Sequence, residues 1–278
     1  MPIGSEALSS EDKLISEELV HARRGAQALP GFPGSPPEDL AKAYEIQAYS
    51  IGFWIDDIVG WKVGGIPPAW RERLGADWLI GPIYSRSVRH ARGDETVSMP
   101  VFAGGFAAIE PEFVVQLGET RDQDRIFIGA EIASSPVPAI NDYGPTAVVC
   151  DFGNNNGLLV GKEVLDWQRL AGPIEVKIWI DDELIGVRQL EHITVDALKA
   201  RDFCLSHSQS LGRTLPPGTL ISSGAITGVH EAEIGARSTI DFGSLGSLKL
   251  DLSQAHAARE SKPRDGQSGA GSNREARV

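Results

Sequence analysis

Two glutamates, Glu110 and Glu112, sit two positions apart in the run AIEPEFVVQL at 108–117. Side chains alternate across an extended strand, so residues at this spacing leave the same face. Carboxylates placed together repel unless a cation neutralises them or one keeps its proton. Hard divalent cations such as Mg2+ or Mn2+ are held by such pairs, with water and substrate oxygens completing the shell. The plain alternative is an edge strand with a solvated acidic face. Pro111, unable to donate to a ladder, places this stretch at a strand start or edge. A third acid weighs against that alternative. Glu131 lies in the apolar run IFIGAEI at 126–132, where a charge is costly without a partner. Three carboxylates from two neighbouring strands converging on one metal is a coherent reading; the alternative for Glu131 is a residue facing water from a half-buried strand.

Other polar groups can serve such a centre. Lys62, in GWKVGG at 60–65, is flanked by glycines that allow close backbone approach. Desolvated beside a carbonyl, a lysine polarises it or relays a proton; packed along its stem, it only reaches solvent. Asn154, Asn155 and Asn156 stand in DFGNNNG at 151–157. They offer amide donors to a substrate carboxylate, or simply build a tight turn. The histidines at 21, 90, 192, 207, 230 and 256 show no paired-ligand spacing and read as surface residues. Ser222 and Ser223 lack the glycine-framed elbow of a serine nucleophile.

The elements that must position these groups follow from patterning. A helix is expected over 10–28, capped by Ser9 or Ser10, with an acidic first turn. A second helix is expected after the Gly/Pro loop at 29–38, presenting Ala43, Ile46, Gln47, Ser50 and Ile51 on one face. Strands are expected at 113–117, 125–132, 147–152, 157–161, 219–224 and 246–252, with a hairpin over 174–190 turning at Asp181-Asp182-Glu183. One helix, 196–212, interrupts them. This is an α+β chain with a helical N-terminal region and a strand-rich remainder. The division expected is an N-terminal region 1–97 carrying the lysine, a β-rich catalytic domain 98–254, and a disordered tail 255–278 poor in apolar residues.

The chain has 278 residues and a formal charge of -12. That acidity argues against a nucleic-acid partner and against docking on anionic membranes. No apolar run approaches a membrane span and the first residues do not read as a signal peptide, so a cytoplasmic protein is expected. Cys150 and Cys204 form no metal or disulfide motif.

Taken in order, AYEIQ at 43–47, GWKVGG, IGPI at 80–83, IEPEF at 109–113, GAEIASSP at 129–136, DFGNNNGLLVG at 151–161, and the closing SSGAITG and GSLGSLKLDL resemble the 2-keto-4-pentenoate hydratases. These belong to the fumarylacetoacetate hydrolase-like superfamily. The resemblance covers roughly residues 8–252. It implies a mixed β-roll, assembly into a homo-oligomer, and a Mg2+ or Mn2+ ion on Glu110, Glu112 and Glu131. It also implies a catalytic role for Lys62, with Asn155 and Asn156 contacting the substrate carboxylate or the attacking water. The activity implied is addition of water to a 2-hydroxypenta-2,4-dienoate-type acid in aromatic meta-cleavage catabolism. The alternatives are decarboxylation of a 2-oxo-3-enedioate, C–C hydrolysis of an acylpyruvate, or a non-catalytic partner subunit of a related decarboxylase.

Overall fold

The computed structural model describes residues 8–170 and 172–257. Most of the expected tail, 258–278, lies outside them. The chain opens with helices α1 (Ser10–Gly25) and α2 (Leu40–Phe53), followed by β1 (Ile58–Gly65), α3 (Pro68–Leu74), β2 (Trp78–Tyr84), β3 (Val88–His90) and β4 (Thr96–Val101). Next come β5 (Phe106–Gln116), β6 (Arg125–Ser135), α4 (Pro145–Cys150), β7 (Asn155–Glu163), β8 (Ile174–Ile180) and β9 (Glu183–Leu190). The chain continues through α5 (Ile193–Ser210), β10 (Leu220–Ser222), β11 (His230–Glu231), β12 (Arg237–Asp241) and β13 (Ser247–Gln254).

Helix α1 begins where the Ser9 hydroxyl accepts from the Asp12 N–H and the Asp12 carboxylate reaches back to the Ser9 N–H. This reciprocal pair satisfies donors that a helix start leaves open. Helix α2 is capped by Asp39. Ala43, Ile46, Gln47 and Ser50 are its buried side. From that side the Gln47 amide donates to the carbonyls of Ile80 and Val149, tying α2 to β2 and α4 at once. The Ser50 and Ser16 hydroxyls bond each other between the two helices.

Two mixed sheets carry the rest. The larger runs β2-β1-β10-β5-β6-β7-β3, with the short β11 also on β5. The smaller runs β4-β13-β12-β8-β9. Pairings β1–β10, β3–β7 and β4–β13 are parallel and the others antiparallel. Strand β2 also contacts β7, so the larger sheet curls toward closure. Its register puts Ile83, Val114, Leu158, Val160 and Leu220 on the concave face, where they form one apolar cluster. The main core lies on the other side, under the helices.

Two expectations fail. Residues 147–152 are not a strand: 145–150 form α4, begun by Pro145 after Gly144. All six side chains of α4 are buried, and a segment apolar all round shows no helical stripe for periodicity to detect. Pro111 is also not at a sheet edge. Strand β5 pairs with β6 along its full length and with β10 and β11 on its other side. Pro111 fits because its carbonyl accepts from the Ile226 N–H, so its nitrogen faces the 223–229 connection, between those two short strands.

Candidate metal centre

Strands β5 and β6 are the scaffold of the site. Glu110 is the direct register partner of Glu131, and Glu112 stands opposite Gly129. All three glutamates therefore leave the concave face. One carboxylate oxygen from each comes within 4.8 Å of the others. Burial is nearly total: Glu110 is 5 % exposed, Glu112 and Glu131 0 %. On β1, Lys62 pairs with Gly81 of β2 and Ser222 of β10, so it emerges on the same face and is 4 % exposed.

Polar contacts orient the acids. Glu131 Oε1 receives Lys62 Nζ at 3.2 Å and Asn155 Nδ2 at 3.0 Å, while its Oε2 has no partner. The Ser222 hydroxyl donates to Glu112 Oε2, while Glu112 Oε1 has none. Glu112 and Glu131 thus each have one oxygen held and one left over. Buried carboxylate oxygens without partners are expensive. Three ionised carboxylates facing one ammonium would leave two negative charges uncompensated. A divalent cation satisfies both the charge and the unpartnered oxygens, and an all-oxygen donor set suits a hard ion. The residues fit the metal implied by the sequence.

Without an ion, the electrostatics are strained. Burial pushes the Glu110 carboxyl up to about 7; Lys62 opposes the rise and Glu131 adds to it. Burial raises Glu112 well above the usual carboxylate range, with the charges of Glu131 and Glu110 adding to it. At Lys62 burial pulls the ammonium down, but attraction from Glu131, Glu110 and Glu112 outweighs it and the pKa is raised. The lysine keeps its proton.

The structure divides the three asparagines. Asn155 reaches Glu131, and Asn154 Oδ1 accepts from Lys62 Nζ at 3.2 Å. Asn156 does not join them. The β6–β7 register slips between Ile132 and Ala133, which breaks the alternation running down from Leu158, and the Asn156 amide donates to the Pro100 carbonyl instead. Gly81 makes room for this turn, because a Cβ there would strike the Phe152 carbonyl. Ser222 was legible as a polar residue but not as a glutamate partner, since its seat depends on β10 pairing beside β5. The surface expectation fails for two histidines: His230 is buried and bonded to Thr227, and half-buried His207 stacks on Phe203 and packs on Tyr44 of α2.

A cavity of about 370 Å3 opens onto the centre. Lys62, Glu110, Asn141 and Asn154 give it a polar end, and Pro67, Leu79, Pro145, Val148, Ala225 and Val229 an apolar wall. A second recess, about 380 Å3, shares Gly65 and Ala225 with it and carries Arg71, Arg188 and Lys199.

No protein-family model matches this chain, and no curated protein matches it by sequence. Solved structures do. 4-Oxalocrotonate decarboxylase from Pseudomonas putida G7, complexed with magnesium and adipate, superposes with a TM-score of 0.69 at 19% identity, covering 89% of this chain and 100% of that one. Its complex with calcium and acetate gives 0.68 at 18% identity over the same shares. Fumarylpyruvate hydrolase from Pseudomonas aeruginosa, complexed with Mn2+ and pyruvate, gives 0.50 at 14% identity, covering 70% of this chain and 89% of that one. The chain shares with the decarboxylase structures an α+β fold of curled mixed sheets. Among the described residues no helix is long and apolar enough to cross a membrane.

Proposed function

We propose that the protein is a divalent-metal-dependent hydratase that adds water to a 2-hydroxypenta-2,4-dienoate-type acid, giving a 4-hydroxy-2-oxo acid. The observation that carries this reading is the trio Glu110, Glu112 and Glu131, buried together with unpartnered oxygens on Glu112 and Glu131 and with Lys62 as counter-charge. These glutamates would hold Mg2+ or Mn2+, which supplies Lewis-acid stabilisation of the negative charge that develops on a 2-oxo acid. Lys62, protonated at the cavity wall, donates to an enolate oxygen and is the proton source nearest the acids. Asn154 and Asn155 hold Lys62 and Glu131 in place, which is orientation settled before substrate arrives.

The apolar wall of Pro67, Leu79, Pro145, Val148, Ala225 and Val229 favours a substrate whose far end is uncharged. A second carboxylate pressed against it would lose its hydration without compensation. That supports a monocarboxylic dienoate over an enedioate. A second reading, decarboxylation of a 2-oxo-3-enedioate, draws on the basic recess with Arg71, Arg188 and Lys199 beyond Gly65 and Ala225. One assay separates the two. Purified protein with Mg2+ is given 2-hydroxypenta-2,4-dienoate and ultraviolet loss of the diene is followed, with CO2 release from 4-oxalocrotonate in parallel. Diene loss without CO2 release is expected; CO2 release alone establishes the second reading.

A further inference from the structure

We propose that Arg23, on the N-terminal helix, is a positioning residue for the metal centre: it locks the asparagine turn into the shape that aims Asn154 at Lys62 and Asn155 at Glu131. The proposal rests on reading the three glutamates as a metal site.

Arg23 leaves the last turn of α1 and is only 6 % exposed. Its guanidinium forks onto the Asp151 carboxylate, with Nε to Oδ1 at 2.5 Å and Nη2 to Oδ2 at 2.8 Å. Nη2 also donates to the carbonyls of Asp151 and Ser134, each at 3.0 Å. Nη1 donates to the Asn155 carbonyl at 3.0 Å and approaches Asn156 Oδ1 at 3.5 Å. The planar group is flanked by the rings of Phe102 and Phe152, each centred 5.4 Å away. Every donor direction of the fork is thus spent on residues 151–156 or on Ser134 at the end of β6.

That segment needs holding. Phe152, Gly153 and Asn154 have φ of 55, 65 and 54°, three consecutive left-handed residues of which only the glycine adopts the region freely. Such backbone persists only where surrounding contacts over-determine it. Arg23 supplies those contacts from behind. It grips the carbonyl before the left-handed run and the carbonyl after it, and packs on the ring of the first residue within it. On the front of the same turn, Asn154 accepts from Lys62 and Asn155 donates to Glu131. Groups behind ligands set metal affinity by fixing ligand orientation. A lysine could balance the charge of Asp151, but a single nitrogen cannot span both carbonyls.

The test uses the full chain and Mn2+ as probe, read by EPR or calorimetry, beside steady-state kinetics and amide exchange of residues 152–156. Arg23→Lys should stay folded by near-ultraviolet circular dichroism, exchange faster at 152–156, and bind Mn2+ about 10–100-fold more weakly, with kcat lowered more than KM is raised. In Arg23→Ala, added guanidinium at millimolar concentration should restore Mn2+ binding, entering by the cavity of about 240 Å3 that Arg23 shares with Trp54, Tyr84, Phe102, Asn155 and Asn156. Combining Arg23→Lys with Asn155→Ala should cost no more than Asn155→Ala alone. A folded Arg23→Lys protein with wild-type Mn2+ affinity overturns the proposal, as does full additivity. Loss of fold in both Arg23 variants also overturns it, since the role would then be fold-wide. Wild-type protein that binds no Mn2+ is a different failure, removing the metal reading beneath it.

Discussion

Glu110 and Glu131 face each other across β5 and β6 as direct register partners, both buried on the concave face of the larger sheet. Like charges placed opposite in an antiparallel pair destabilise it. Here a third acid, Glu112, joins them, so the strand pair is assembled against its own electrostatics, a cost that the proposed divalent cation would relieve.

Neutralising one of these acids should therefore separate stability from binding. Glu131→Gln and Glu110→Gln should melt higher than wild type without metal, by roughly 2–4 °C for each ~1 kcal/mol of repulsion relieved. Both should lose the rise in melting temperature that Mg2+ gives wild type. Thermal melts with and without 10 mM Mg2+, a concentration of order 10 mM being ample for a carboxylate site, check both halves. Variants that melt lower and still respond to the ion would contradict the account.

The pH dependence has a definite sign. Glu110 rises from 4.5 in the unfolded chain to about 7 when folded without an ion. Between those values the folded state holds the extra proton, so stability of the metal-free protein falls as pH rises through this window. Mg2+ competes with that proton, and its affinity should climb as pH rises through the same window. Metal-free melts from pH 4.5 to 8 should fall more steeply for wild type than for Glu110→Gln, in which this group no longer titrates.

Lys62→Met should divide binding from turnover. The ammonium competes with the ion for Glu131, so Mn2+ affinity should hold or increase. Turnover should drop about 10²-fold or more, the scale of a lost acid–base group. Calorimetry and initial rates on one preparation suffice. Wild-type turnover, or loss of metal together with activity, would remove the proposed role.

Specificity should follow the apolar wall. In wild type with Mg2+, 2-oxopentanoate should inhibit more strongly than 2-oxoadipate. Val229, on the cavity rim and 51% exposed, tolerates a charged side chain. Val229→Lys should improve 2-oxoadipate by about tenfold, a change of ~1.4 kcal/mol, and leave 2-oxopentanoate nearly unaffected. Stronger inhibition of wild type by the dicarboxylate would favour the enedioate reading.

What the sequence makes visible is local. The i, i+2 spacing of Glu110 and Glu112, the apolar setting of Glu131, the Ser9 cap and the Asp181-Asp182 turn of the β8–β9 hairpin are all short-range patterns. Long-range pairing is what hides the remainder. Arg23 meets Asp151 across 128 residues, and nothing near either marks the partnership. The lysine strand lies beside β10, not beside β5, so Ser222 reaches Glu112 from the intervening strand by topology alone. The placing of Asn156 depends on a register slip in the β6–β7 pairing, which no local pattern reveals and which leaves its amide on the Pro100 carbonyl.

The most direct measurement is anomalous diffraction from crystals of the full chain soaked in Mn2+. One anomalous peak per chain is expected, with an oxygen of Glu110, Glu112 and Glu131 each about 2.0–2.3 Å from it, the range for a hard cation of this size. Absence of a peak there, with Lys62 closing on the three acids and no ion between them, would contradict the account.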